Sequence, residues 1–151
     1  MTEKLTASFT LAEFLTSATA LRMGLMNLPD AKALIALRTC TGPGMQRIRD
    51  LLGVPVNITS GYRSPLVNRA VGSAPTSQHI LGQACDFKAP GFGTPLEIAR
   101  TLVANKAAIG FDQLIQEGDW CHVSFVASGA RGQFLTAHFV NGKATYTAGL
   151  A

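Results

Sequence analysis

Apolar residues recur at helical spacing in the first half of the chain. Thr10 and Glu13 stand three positions apart just before an apolar run, with Phe9 ahead of them. This is the pattern of a capping box with a hydrophobic staple, in which side chains satisfy the free backbone donors of a first helical turn. It predicts a short helix from Thr10 to about Ala18.

A longer helical pattern runs from Asp30 to Gly53, with apolar residues three and four positions apart. Gly53, followed closely by a proline, is a typical helix end. Residues 42–44 read Gly-Pro-Gly in the middle of this pattern. Because proline lacks a backbone donor and glycine weakens a helix, we predict a break or a sharp kink here, giving two helices.

Short strand patterns fill most of the remaining chain. Ser64, followed by proline, predicts a helix ending near Gly72, and Thr94 predicts a capped helix reaching about Lys106. Alternating apolar positions between turn residues predict strands at 54–58, 83–87, 111–116, 120–126, 133–140 and 143–147, the last two joined by an Asn-Gly hairpin turn. With helices gathered first and strands last, we predict a small α+β domain with N-terminal helices packed on a mainly antiparallel sheet.

Length and composition fit one folded domain. The chain has 151 residues, of which 47% are hydrophobic and 15% charged, so it can bury a substantial core. We therefore predict a single domain over residues 1–151. The chain has three cysteines, an odd number, and it is large enough to fold without disulfide bonds. We therefore expect reduced, buried thiols.

The charge pattern restricts the possible partners. A net charge of +4 permits an anionic partner, but the basic residues are scattered without a cluster, which disfavours nucleic-acid binding. No apolar run approaches the ~20 residues needed to cross a bilayer, so no stable membrane insertion is expected. The first residues lack the charged-then-apolar pattern of a secretory signal, so we expect synthesis in the cytoplasm.

Two of the three histidines lie in short polar segments beside predicted strands. His79 lies in a loop, and Gly82 allows the chain to fold back so that Asp86 on the next strand comes close. His122 lies on a later strand, where it projects to one face. A hydrolytic zinc site uses three ligands from His, Asp or Glu and keeps one position for water. His79, Asp86 and His122 supply such a set.

The remaining possible zinc ligands fit structural roles better. Cys85 and Cys121 each adjoin a proposed ligand, but alternation along a strand turns neighbouring side chains to opposite faces. We therefore expect both to be core thiols. His138 lies in a different strand, away from either polar segment, and we expect it to be exposed or satisfied within the core.

Several motifs together resemble a known family. The pattern S-x-H-x-x-G-x-A-x-D at 77–86, followed by W-x-H at 120–122, is similar to the D-alanyl-D-alanine carboxypeptidase family of zinc peptidases, which includes bacteriophage endolysins. Further similarity lies in FTLAEF at 9–14, TSGYRSP at 59–65 and FDQLI at 111–115, so the resemblance spans most of the chain. It implies the zinc-binding α+β fold shared with hedgehog amino-terminal domains and lysostaphin-type peptidases.

The resemblance also implies roles for single residues. It assigns zinc binding to His79, Asp86 and His122, and binding of substrate or transition state to Arg63. A guanidinium at that position can hold a peptide carboxylate in a bidentate fork or share the developing oxyanion charge. The alternative for Arg63 is a solvated arginine in a turn.

A general base must accept the proton of the attacking water. Asp119, three residues before the second histidine ligand, matches the acid position expected from the family, and Glu117 is a close rival. The glycine between them marks a turn, so strand alternation does not decide which carboxylate faces the metal. Ser77 is a candidate for orienting a ligand or substrate, and Tyr62 and Trp120 are candidates for lining the substrate cleft, although each of these three also suits a purely structural role.

We therefore expect a zinc-dependent peptidase, monomeric, that cleaves peptidoglycan stem peptides at the cell wall, of the kind found as phage or prophage endolysins. The resemblance covers both a D,D-carboxypeptidase and an L-alanyl-D-glutamate endopeptidase. The alternative is a noncatalytic, zinc-stabilised module that binds the cell wall or serves in a phage particle. A structural zinc site prefers four protein ligands and needs no base, so the acids near the second histidine favour the enzyme.

Overall fold

The computed structural model describes residues 3–150. Its helices are α1 (Leu11–Leu15), α2 (Ala18–Met23), α3 (Ala31–Ala36), α4 (Gly42–Leu52), α5 (Pro65–Ala70), α6 (Pro95–Ala104) and α7 (Lys106–Ile109). Its strands are β1 (Asn57–Ser60), β2 (Ala84–Lys88), β3 (Gln113–Gln116), β4 (Cys121–Ser124), β5 (Gln133–Val140) and β6 (Lys143–Ala148). Within the described part of the chain, no helix is long and apolar enough to cross a membrane.

The predicted capping box is present at the start of α1. The backbone N–H of Thr10 donates to Oε1 of Glu13 at 3.1 Å. The helix ends at Leu15, before the predicted end at Ala18, because the side chain of Ser17 caps a second helix by accepting from Ala20. A serine cap therefore divides the predicted segment between α1 and α2.

The two predicted helices are present as α3 and α4, but the chain does not break between them at residues 42–44. A π-helical segment, Leu37–Thr41, joins α3 directly to α4, so the helical path is continuous from residue 31 to residue 52. Pro43 lies in the first turn of α4, directly after the π segment. The wider π turn replaces the break expected from the Gly-Pro-Gly sequence.

The six strands form one sheet in the order β1-β2-β4-β3-β5-β6. Neighbouring strands pair antiparallel, except for the parallel pair β3 and β5. The α+β prediction with a mainly antiparallel sheet is confirmed. The β5–β6 hairpin ends the sheet, and Asn141 and Gly142 both have positive φ, 52° and 77°, as its two-residue turn requires.

The two faces of the central strands differ in what they contact. One face packs into the hydrophobic core together with the helices, through Cys85, Phe87, Leu114, Cys121 and Val123. The alternating positions project from the opposite face, as the pleat of a strand requires. That second face forms the floor of the cleft described below.

Candidate metal centre and active site

A row of paired residues crosses the sheet on its cleft face. Asp86 on β2 pairs with His122 on β4, which pairs with Ile115 on β3, which in turn pairs with Leu135 on β5. All four line the same cleft, whose volume is about 630 Å³. The strand register therefore places one carboxylate and one imidazole side by side without any loop rearrangement.

His79 reaches this row from the loop between α5 and β2. The turn there closes with a hydrogen bond from the N–H of Gly82 to the carbonyl of His79, 3.3 Å. Gly82 has a φ of +71°, and a methyl group on it would overlap the carbonyl oxygen of Ala33. The hydroxyl of Thr41, at the end of the π segment, donates to the Gly82 carbonyl at 2.6 Å. Only glycine fits this close approach, which confirms the prediction that Gly82 folds the chain back.

The imidazole of His79 is oriented by the backbone. Its Nδ1 lies 2.7 Å from the carbonyl oxygen of Gly61. Because a carbonyl oxygen only accepts, Nδ1 carries the proton, and the lone pair of the neutral ring is on Nε2. Nε2 lies 3.4 Å from Oδ1 of Asp86. A backbone carbonyl that fixes the tautomer is the usual arrangement behind a metal-binding histidine.

His79, Asp86 and His122 converge as predicted. His122 Nδ1 lies 3.0 Å from the same Oδ1 of Asp86, and one ligand atom from each residue lies within 4.8 Å of the other two. Two imidazole nitrogens and one carboxylate oxygen are a donor set that suits zinc in a hydrolytic site, with a coordination position left for water. We refer to these three residues as the ligand cluster.

Burial and hydrogen bonding control the charges of the ligand cluster. Burial alone would raise the pKa of Asp86, but its interaction with His122, joined by His79 when that ring is protonated, outweighs burial and holds the pKa well below the usual range. Burial lowers the pKa of His79, against the opposing effect of Asp86. An ionised carboxylate beside a neutral imidazole is the protonation state that metal binding requires.

Arg63 lies at the edge of the ligand cluster. Its Nη2 donates to Oδ2 of Asp86 at 3.3 Å and its Nε to Oγ of Ser60 at 3.1 Å. Its backbone N–H donates to the carbonyl of His79 at 3.1 Å. Burial lowers the pKa of Arg63, while Asp86 and Glu117 act in the opposite direction. Arg63 is thus a partly buried cation facing the cleft and is not the solvated turn arginine considered as the alternative.

The two candidate bases lie in different places. Glu117 lines the same cleft as the ligand cluster. Burial raises its pKa, and the charges of His122, Asp86 and Arg63 also act on it. Asp119 is exposed and borders a separate small cavity beside the start of α6. The structure therefore does not bring Asp119, the preferred candidate, to the ligand cluster, whereas it does bring Glu117 there.

The different positions of Glu117 and Asp119 result from the turn that joins β3 to β4. The N–H of Glu117 donates to the carbonyl of Trp120 at 2.9 Å, and the N–H of Asp119 donates to the carbonyl of Glu117 at 3.1 Å. Gly118 between them has a φ of +81°. The chain reverses within these residues, so Asp119 does not continue the strand direction that leads to His122.

The three other predicted site residues have different environments. Ser77 and Trp120 line the cleft, and Oγ of Ser77 also accepts from the N–H of His79 at 3.2 Å. Tyr62 does not line it. Its ring is in the hydrophobic core, and its hydroxyl donates to the carbonyl of Leu28 at 3.2 Å. The prediction that Tyr62 borders the substrate cleft is wrong, because its N–H pairs with the carbonyl of Phe14 and the ring turns toward the helices.

The cysteines are not part of the site. Cys85 and Cys121 are buried in the core on the opposite face of the sheet, as strand alternation predicts. Burial raises the pKa of Cys121 to about 12, and it raises the pKa of Cys85 as well. Neither thiol is readily ionised, so neither competes with the ligand cluster for a metal. His138 is exposed and bonds to Thr147 at 2.8 Å, which fits its predicted structural role.

Sequence reasoning missed a polar network that supports the loop of His79. Asp112 accepts from Arg131 through Nε and Nη2, at 3.1 and 2.8 Å, and from Nε2 of Gln78 at 3.1 Å. Hydrogen bonding to Arg131 lowers the pKa of Asp112 to about 2. Gln78 precedes His79, so the network ties the ligand loop to β3. The FDQLI segment contained this aspartate, but its partners are distant in the sequence.

Sequence reasoning also missed the contribution of the β5–β6 hairpin to the cleft. Leu135, Phe139, Ala144 and Tyr146 all line it. Burial raises the pKa of Tyr146, and the nearby charges of Glu117 and Asp86 add to the effect. Alternation within the two predicted strands could have grouped these side chains on one face, but not assigned that face to the site.

Comparison with known proteins agrees with this geometry. A protein-family model described as Peptidase M15 matches residues 7–124. That range includes all members of the ligand cluster together with Arg63 and Glu117. No curated protein matches the chain.

Proposed function

The chain belongs to the peptidase M15 family of zinc peptidases that act on peptidoglycan, and from that premise we propose that it hydrolyses a peptide bond in the stem peptides of bacterial peptidoglycan. One observation carries the proposal. Donor atoms of His79, Asp86 and His122 lie within 4.8 Å of one another on the floor of a cleft that also contains a carboxylate and a guanidinium.

Zinc held by these three residues would lower the pKa of a water molecule to about 7 and polarise the scissile carbonyl. The chain itself prepares the donors. The carbonyl of Gly61 keeps the proton of His79 on Nδ1, so that Nε2 faces the cluster. Asp86 remains ionised because hydrogen bonds stabilise its charged form.

Glu117 is the general base in this proposal. It borders the cleft, and burial raises the pKa of its carboxyl, which suits a group that must both accept and release a proton. Glu117 takes a proton from water as the water oxygen attacks the carbonyl carbon. It then delivers the proton to the amide nitrogen as the carbon–nitrogen bond breaks.

Arg63 supplies a fixed positive charge beside the reacting carbonyl. Its contacts with Ser60 and Asp86 hold the guanidinium in place before substrate arrives. A pre-positioned cation stabilises negative charge on the carbonyl oxygen without reorganisation during the reaction. It can also bind a substrate carboxylate.

Catalysis explains this arrangement better than a structural zinc module does. Structural zinc sites are closed by four protein ligands, whereas the ligand cluster has three members and opens to a cleft. A structural site also has no use for a partly buried glutamate beside the metal. Glu117 is therefore the specific argument for an enzyme.

We further propose that the protein acts at the cell wall as a phage or prophage endolysin. The net charge of +4 would favour encounter with an anionic envelope, as a weak steering effect. Two bonds fit the family chemistry: the terminal D-alanyl-D-alanine bond and the internal L-alanyl-D-glutamate bond.

Digestion of purified peptidoglycan tests the proposal. The zinc-loaded protein is expected to release new amino termini, which mass spectrometry assigns either to D-alanine or to D-glutamate. A chelator should abolish the release, and added zinc should restore it. Intact peptidoglycan after incubation with fully zinc-loaded protein would contradict the proposal.

A further inference from the structure

The β5–β6 hairpin extends the cleft beyond the part of the chain that matches the family. The match ends at residue 124, whereas the hairpin begins at Gln133. The pairing of Ala137 with Tyr146 and of Phe139 with Ala144 places these side chains on one face. Apart from Ala137, they all line the same cleft as the ligand cluster. This side of the cleft therefore lies outside the range that the family model matches.

Large aromatic side chains dominate this side of the cleft. Phe139 and Tyr146 are 50% and 51% exposed. The ring of Trp120, from the turn before β4, lies 6.4 Å from that of Phe139 between centroids, at an angle of 48°. We refer to Trp120, Phe139 and Tyr146 as the aromatic wall.

The exposed rings are directed at the cleft and are not spread over the hairpin. On the opposite face of the same strands, Phe134 packs against the hydrophobic core, and His138, Val140, Thr145 and Thr147 are exposed. An antiparallel hairpin at the end of a sheet ordinarily turns its polar face to water and its apolar face to the core. Here, by contrast, the face turned away from the core carries the exposed rings of Phe139 and Tyr146 beside the catalytic groups, and exposed apolar surface of this kind is typical of a ligand-binding site.

We propose that the aromatic wall is a sugar-stacking subsite that binds the hexosamine of the glycan strand to which the stem peptide is attached. This inference rests on the proposed function, because it assigns one part of the peptidoglycan substrate to one part of the cleft. A pyranose ring has an apolar face of C–H groups and a rim of hydroxyl and amide groups. Extended aromatic surface matches that face, whereas the methyl side chain of an alanine needs only a small closed pocket.

Polar groups at the border of the wall suit the rim of the sugar. Arg131 and Gln113 line the same cleft, and the phenol of Tyr146 supplies a hydroxyl. Arg131 is half exposed although it is paired with Asp112. Such groups can hydrogen-bond to sugar hydroxyls without placing a net charge against a neutral ring.

The position of the subsite favours one of the two bonds. The aromatic wall and the ligand cluster share one cleft of about 630 Å³, so a sugar on the wall brings the first peptide bonds of the stem to the catalytic groups. The L-alanyl-D-glutamate bond is close to the glycan, whereas the terminal D-alanyl-D-alanine bond is at the far end of the stem. The subsite therefore assigns the chain to the endopeptidase type.

A binding experiment tests the subsite without catalysis. Trp120 is the only tryptophan in the chain, so intrinsic fluorescence reports on the aromatic wall directly. The probe is the disaccharide N-acetylglucosaminyl-N-acetylmuramic acid without peptide, its lactyl carboxyl capped as a simple amide so that the probe is neutral, added to metal-free protein. We expect a saturable change in emission, with affinity reduced about tenfold in the double variant Phe139→Ala, Tyr146→Ala.

Val140→Ala is the matched control, because Val140 is an exposed apolar residue of the same strand but alternates to the opposite face. It should bind the disaccharide like the wild type. An absence of any emission change in the wild type at millimolar disaccharide would overturn the subsite. Equal affinity of the double variant and the wild type would overturn it as well.

A kinetic comparison separates the subsite from the proposed function. The zinc-loaded wild type is expected to cleave the disaccharide-linked stem peptide at least tenfold faster than the same peptide without sugar, and the double variant should bring this ratio toward one. Equal rates on both substrates in the wild type would overturn the subsite. Saturable disaccharide binding without hydrolysis of either substrate would support the subsite and contradict the proposed peptidase function.

Discussion

Replacement of Glu117 by glutamine is expected to lower turnover about 10²–10⁴-fold and to leave zinc binding intact, because positioned proton transfer contributes about that much to catalysis. The amide keeps the size of the side chain but cannot accept the proton of the attacking water. Glu117 lines the cleft beside the ligand cluster without belonging to it. The measurement is turnover on peptidoglycan fragments together with bound zinc per chain.

Asp119→Asn is the matched control for this variant. Asp119 lies two residues away in the same turn but is exposed and borders a different cavity. Its replacement should change turnover less than about twofold, as expected of a surface residue with no role in the reaction. If Asp119→Asn impairs turnover and Glu117→Gln does not, the assignment of the base reverses.

Replacement of His122 by alanine is expected to abolish both zinc binding and activity. One of three protein ligands is lost, and Asp86 loses the imidazole that lies 3.0 Å from its Oδ1. Mutation of a residue that only orients a metal ligand already lowers metal affinity about 10–100-fold. Loss of a direct ligand should therefore lower zinc affinity more than about 100-fold. Competition with a chromogenic chelator measures the affinity, and the same samples are assayed for hydrolysis.

His138→Ala provides the comparison, since it makes the same change at an exposed histidine of β5 outside the ligand cluster. This variant should retain zinc and activity. Retention of stoichiometric zinc and full activity in His122→Ala would remove His122 from the ligand set.

The secondary structure was largely predictable because local signals and tertiary packing agree. The capping box at Thr10, the hairpin turn at Asn141 and the alternating strands each depend on neighbouring residues. The helical run through residues 42–44 was not predictable in this way. There a π turn accommodates Pro43, and packing against the rest of the protein stabilises a geometry that local propensity disfavours.

The site residues likewise differ in whether local sequence patterns or contacts distant in sequence fix their positions. The convergence of His79, Asp86 and His122 could be predicted because strand alternation and one glycine turn fix where each side chain points. The choice between Glu117 and Asp119 depends on the backbone path of a turn, which alternation does not describe. Tyr62 failed as a cleft residue because its environment is set by α1 and the loop at Leu28, far away in sequence.

The central claim is that two imidazole nitrogens and one carboxylate oxygen hold a single zinc ion that retains a position for water. X-ray absorption at the zinc edge of the purified wild-type protein tests it most directly. We predict nitrogen and oxygen neighbours at about 2.0–2.2 Å, two of them from imidazole, and no sulfur. A zinc–sulfur distance of about 2.3 Å, or no zinc retained after loading, would contradict the account.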